Sequence, residues 1–247
     1  MRWYIIGRKT FYRARAALII FLAAALLVVF SFSVVNERYS DSLQVDTTAQ
    51  ADEKTVIIDA GHGGEDCGAV GVDGVFEKDL NIEIATEIGK ALEEKGYTVL
   101  YTRTEDKLLY TEEENIKGIR KISDLKNRCK IANEHPNAIF VSIHMNSYSS
   151  AKYSGLQVYY TDNDEESAAL AGKIQSSVRT LLQNGNTRTT KNGKDIYILE
   201  NTEPVAVLIE CGFLTNAEEC KKLSEKEYQK QLSSAIVCGI IEYKEGK

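Results

Sequence analysis

An uninterrupted apolar stretch, Ala16 to Val35 (AALIIFLAAALLVVFSFSVV), divides the chain before any other feature is considered. Its 20 residues carry no charge and only two serines. As a helix rising about 1.5 Å per residue it crosses a hydrocarbon core of roughly 30 Å. A secretory signal is the competing reading, but its apolar core runs only ~7–15 residues and ends at a small-x-small cleavage site. Here the stretch exits through Ser33-Val34-Val35-Asn36-Glu37-Arg38. A core helix is a poorer fit, because this segment is apolar all round. An uncleaved transmembrane anchor is therefore expected. Arg2, Arg8, Lys9, Arg13 and Arg15 precede it without an acid, against Arg38 soon after it. That bias puts residues 1–15 in the cytoplasm and the body of the protein outside.

Residues 36–54 are polar, lack helical or strand periodicity and read as a tether. From Thr55 to Lys247 the chain is long enough for one domain with a substantial core. The net charge is −6 despite the basic N-terminus, so the body is strongly acidic. That excludes non-specific nucleic-acid binding, which needs Lys and Arg to displace counterions. Five cysteines with no CxxC spacing signal neither a disulfide framework nor a cysteine metal site, and read as buried thiols.

Beyond Thr55, short apolar runs alternate with helical stripes. Strands are expected at 55–59, 97–102, 138–144, 155–160, 196–199 and 205–210. Helices are expected from Glu77 to Gly96, near 121–134, over 164–182 and at the C-terminus, where Leu232, Ile236 and Ile240 share a face. This is an α/β pattern: a three-layer sandwich with a mostly parallel sheet of about six strands flanked by helices, preceded by one N-terminal transmembrane helix. In such sheets working residues collect at the carboxyl ends of strands.

Of three histidines in the chain, two fall at such ends. His62 follows the first strand within Gly61-His62-Gly63-Gly64, and His144 ends the strand 138–144. Glu210 ends the strand 205–210, whereas His135 precedes Pro136 in a turn. His62, His144 and a third ligand would make a catalytic zinc site with a position open to water. Glu77, opening the helix after the glycine loop, is the choice for the third. Taken singly, each has an ordinary reading: a strand-end histidine packs or hydrogen-bonds, and a carboxylate in a first helical turn answers the helix dipole. The glycines do not make a dinucleotide fingerprint, because Asp66 stands where the last glycine belongs and the helix begins too late. They let the backbone turn so that His62 faces the metal.

DAGHGGEDCGAVG (59–71), EKDLN (77–81), SIHMNS (142–147) and LIECGFLTN (208–216) together resemble the zinc-dependent N-acetylmuramoyl-L-alanine amidase family. The resemblance covers about Thr55 to Tyr243. It implies an amidase cleaving peptidoglycan between the lactyl group of N-acetylmuramic acid and L-alanine. It assigns one Zn2+ to His62, Glu77 and His144, and catalysis to Glu210 as general base. The single span, the lack of wall-binding repeats and NTRTTKNGKDIYIL (186–199) are similar to germination-specific, spore-cortex members, which implies a role in sporulation and germination. Ala60 departs from a common proline, Met145 separates His144 from Asn146, and Cys211 brings a thiol beside Glu210.

Asn81, one helical turn after Glu77, is a candidate support for the metal. Stem peptides carry carboxylates, so Arg103, Arg188, Lys191 and Lys194 are candidate substrate contacts, together with Asn146. Tyr148 and Tyr197 are candidates to stack on sugars, although core or rim packing is the stronger expectation. The expected partners are peptidoglycan, the membrane through the N-terminal helix, and an activating protein. Two other classes stay open: a zinc carboxypeptidase acting on the stem, and a non-catalytic membrane-tethered wall binder.

Overall fold

The computed structural model describes residues 54–161 and 164–246. The basic segment, the apolar span and nearly all of the tether lie outside them. Among the described residues no helix is long and apolar enough to cross a membrane.

Six strands form one sheet: β1 (Thr55–Ala60), β2 (Thr98–Tyr101), β3 (Ile139–Asn146), β4 (Gln157–Tyr160), β5 (Lys191–Asn192) and β6 (Val205–Phe213). Their order is β2-β1-β3-β6-β4-β5. Every pair is parallel except β4 with β6. The helices are α1 (Glu77–Glu93), α2 (Arg120–Asn133), α3 (Glu165–Leu181), α4 (Tyr197–Glu200), α5 (Ala217–Ser224) and α6 (Lys226–Glu245).

Strand alternation sorts side chains onto two unequal faces. On one, Val56, Ile58, Val141, Ile143, Val207 and Ile209 meet the apolar stripes of α1, α3 and α6 in the main core. The other grades from apolar to polar toward the carboxyl ends of the strands. Its deepest row is Ile57, Phe140 and Ala206, adjacent across β1, β3 and β6 and covered by α2 and α4. Asp59, Ser142 and Leu208 form the next row. His144, Glu210 and Gln157 form the last, across β3, β6 and β4. Both β3 and β6 run past their expected ends, with a register shift between His144 and Asn146.

The segment 196–199, expected as a strand, is instead the single helical turn α4. Ile198 and Leu199 are both buried in the same cluster. Consecutive strand residues point to opposite faces, so only a helical turn places both there. The sixth strand is the short β5, which pairs with Tyr159 and Tyr160. Helix α5, absent from the sequence reading, starts at Asn216, whose side chain accepts from the Glu219 N–H at 3.0 Å.

One buried charge cluster joins the layers. Arg128 of α2, 1% exposed, donates to Asp59 Oδ1 (2.6 Å) and to Asp124 Oδ2 (2.8 Å). It also donates to the Ala60 carbonyl (2.8 Å) and the His62 carbonyl (2.7 Å). Ser142 and Thr102 hydroxyls complete the shell of Asp59 at 2.6 and 2.7 Å. Burial alone would raise the Asp59 pKa, but Arg128 and the two hydroxyls hold it below the usual carboxylate value. Replacing Arg128 by Met leaves two carboxylates buried without their cation, so Arg128→Met is expected to cost roughly 3–5 kcal/mol in denaturant unfolding. A loss below about 1 kcal/mol would show that the cluster does not hold the layers together.

Candidate active site

The first ligand candidate sits on strained backbone. His62 has φ 63°, a left-handed conformation uncommon for a residue with a side chain. The strain is held in place on several sides. Gly63 and Asp66 exchange backbone hydrogen bonds at 3.0 Å, and Arg128 grips the His62 carbonyl. Arg103 donates to the carbonyls of Ala60 (2.8 Å) and Gly61 (3.0 Å).

Glu77, in the first turn of α1, is the hub of the site. Its Oε1 lies 3.2 Å from His62 Nε2 and 2.9 Å from His144 Nδ1, and accepts from the Met145 N–H at 3.0 Å. Its Oε2 accepts from the Ala69 N–H at 2.8 Å. Burial works to raise the Glu77 pKa, yet the two histidines overrule it and hold the carboxyl far below its ordinary value. On His62, burial works against the charge, but the bonds to Asp66 (2.9 Å from Nδ1) and Glu77 hold its pKa up at about 9. The pocket thus attracts positive charge.

A divalent cation fits that demand. One donor atom from each of His62, Glu77 and His144 lies within 4.8 Å of the others. Donors on a tetrahedral zinc, at about 2.0–2.2 Å, stand roughly 3.3–3.6 Å apart, so a small adjustment suffices. Asp66 fixes which His62 nitrogen faces inward, as outer carboxylates do for metal-bound histidines. Asn81 donates to the Gly61 carbonyl at 3.0 Å and lies 3.5 Å from Glu77 Oε1, bracing loop and ligand together.

Glu210 stands beside His144 across β3 and β6. Its Oε2 is buried and has no hydrogen-bond partner among the described residues. Burial, opposed by the nearby histidines, pushes its pKa up to about 7. A carboxyl so poised can both take and give a proton near neutrality. Cys211, the next residue, points to the opposite face and is fully buried in the main core, so its thiol is kept from the site.

The other candidates divide. Arg188 is half-buried beside Gln157 and Phe213. Asn146 is half-buried at the end of β3, and Lys191 and Lys194 are exposed around β5. Tyr148 and Tyr197 lie at the surface. Arg103, expected as a cleft cation, is corrected: at 2% exposure its guanidinium is spent on the carbonyls of Ala60, Gly61, Lys78 and Glu105. It shapes the loop instead of facing substrate. Asp66 and Arg128 escaped the sequence reading, although an acid four residues from His62 and an Arg–Asp pair on a helix were visible signals. All five cysteines are free, three of them buried, while Cys67 is half-buried and Cys238 exposed.

This frame has close counterparts. The sequence pattern of N-acetylmuramoyl-L-alanine amidases matches residues 56–242. The germination-specific N-acetylmuramoyl-L-alanine amidase of Bacillus subtilis is 37% identical over 190 residues, which cover 77% of this chain and 79% of that protein. YqiI of the same organism is 39% identical over 192 residues, covering 77% and 84%. Among solved structures, the CwlD amidase from Clostridioides difficile in complex with the GerS lipoprotein matches with a TM-score of 0.75 at 38% identity, covering 78% of this chain and 99% of that one. The fold is that of the peptidoglycan amidases. The chain belongs to the N-acetylmuramoyl-L-alanine amidase family.

A methyl group on Gly61 would lie 2.1 Å from His144 Nε2, a side chain also held by Glu77. Gly61→Ala is therefore expected to displace His144 and lower the affinity of this donor set for an added divalent cation by roughly 10-fold or more, with the fold retained by circular dichroism. Unchanged affinity in a zinc titration would remove this constraint from the site.

Proposed function

We propose that the protein is a zinc-dependent, membrane-anchored amidase of spore-cortex peptidoglycan that cleaves between the lactyl group of N-acetylmuramic acid and L-alanine. The observation that carries this reading is the unpartnered, buried oxygen of Glu210 next to the His62–Glu77–His144 donor set. Zinc held by those three residues would supply a water with pKa near about 7 and polarise the scissile carbonyl. Glu210 takes the proton of the attacking water and delivers it to the departing amine of L-alanine. Asn81 and Asp66 keep the donor set oriented while Glu210 changes protonation state. The likeness to a germination-specific amidase supports the cortex role. The lipoprotein bound to the similar CwlD supports an accessory protein here as well.

The uncharged span 16–35, its basic flank 1–15 and the tether 36–54 support an anchor with the catalytic domain, residues 55–247, held outside the membrane. N-terminal sequencing of the membrane-bound protein is expected to find the span retained. A mature terminus beyond Val35 would make the segment a cleaved signal.

Glu210→Gln separates proton transfer from metal binding. Zinc content should survive while turnover falls by roughly 10²–10⁴-fold, the usual worth of acid–base catalysis. Near-normal turnover in a zinc-loaded Glu210→Gln enzyme would remove Glu210 from the mechanism. Loss of zinc together with activity would make it a ligand. Mass spectrometry of digested peptidoglycan should show peptides with a free N-terminal L-alanine, and none in the presence of a chelator.

A further inference from the structure

Glu210 has two neighbours in its row of the sheet, and they differ in kind. On β3 stands His144, one of the cation ligands. On β4 stands Gln157, whose Oε1 accepts from the Arg188 guanidinium. Side chains opposite one another on antiparallel strands share a face at about 5 Å. Arg188 therefore sits one side chain beyond Glu210, on the flank away from the ligands.

Its position is built from several directions. The guanidinium lies 4.8 Å from the centre of the Phe213 ring. Gln157 Nε2 donates to the Thr189 carbonyl at 2.7 Å, and the Arg188 N–H donates to Asn186 Oδ1 at 2.9 Å. Yet the guanidinium is paired with no carboxylate among the described residues, and its buried Nε has no partner. An arginine fixed by a neutral amide and an aromatic ring keeps its full charge for something else.

We propose that Arg188 is a specificity-determining residue that binds the first free carboxylate of the stem peptide on the leaving-group side of the scissile bond. This rests on the amidase reading above. The carbonyl carbon under attack must lie toward His62, Glu77 and His144, and the amine receiving a proton must lie at Glu210. The chain that continues from that amine, L-alanine and then the second residue, runs onward toward Gln157 and Arg188. In peptidoglycan that second residue is D-glutamate joined through its side-chain carboxyl, so its α-carboxyl is left free or is capped as an amide. The planar fork of Arg188 suits the free acid and offers the amide no charge to match.

The test uses the zinc-loaded enzyme and two synthetic glycan-linked stem peptides that differ only at this group, isoglutamate against isoglutamine. Wild type is expected to prefer isoglutamate by about 10- to 100-fold in kcat/KM, chiefly through KM, as one charge-assisted hydrogen-bond pair allows. Arg188→Gln should bring the preference to about one, and Arg188→Lys should restore part of it, with zinc content unchanged. Equal losses on both substrates in Arg188→Gln would make the residue a loop clamp and overturn the assignment. Equal cleavage of both by wild type would do the same. Failure to cleave either would instead overturn the amidase reading, and this assignment with it.

Discussion

The grip of Arg128 on the end of β1 is the constraint on which the site depends. A charge that deep survives only if every donor is answered, because an unpaired buried ion costs several kcal/mol. Asp59 and Asp124 answer it with charge, and the carbonyls of Ala60 and His62 answer it with dipoles. The same guanidinium that neutralises the layer interface therefore fixes the backbone from which His62 projects. Stability and site geometry are two readings of one cluster.

From that point the donor set is assembled by three separate elements. The loop after β1 gives His62, the first turn of α1 gives Glu77, and β3 gives His144. Glu77 ties them together: its Oε1 lies 3.2 Å from His62 Nε2 and 2.9 Å from His144 Nδ1 and accepts from the Met145 N–H. The sheet then sets Glu210 one strand further and Gln157 one strand beyond that, where Arg188, from the loop before β5, donates to Gln157 Oε1. Across the strands the order is imidazole, carboxyl, then an amide bonded to an arginine.

Much of this was legible in the chain. The α/β class followed from alternating periodicities; His62, His144 and Glu210 stood out at strand ends, and Glu77 as the acid opening the helix after the glycine loop. The four residues are neighbours at the carboxyl ends of the sheet's central strands. The short run Ile196–Leu199 misled, since four apolar residues have no period to distinguish a strand from a helical turn. Arg103 misled for a different reason. Sequence shows that a residue is cationic, but not that four backbone carbonyls will surround it. Asp66 was passed over although it lies four residues from His62, whereas Arg128 escaped because Asp59 is 69 residues away, a contact that exists only once the fold has closed.

The strained turn at His62 has a further consequence. In small zinc modules the ion organises the ligands, so its removal unfolds the chain. Here main-chain bonds, Arg103 and Arg128 hold the loop in its left-handed turn, and the ligands come from elements anchored in the sheet and core. The shape of the donor pocket is thereby a property of the fold itself, set by bonds that need no ion. Any cation that entered would find its donors already placed.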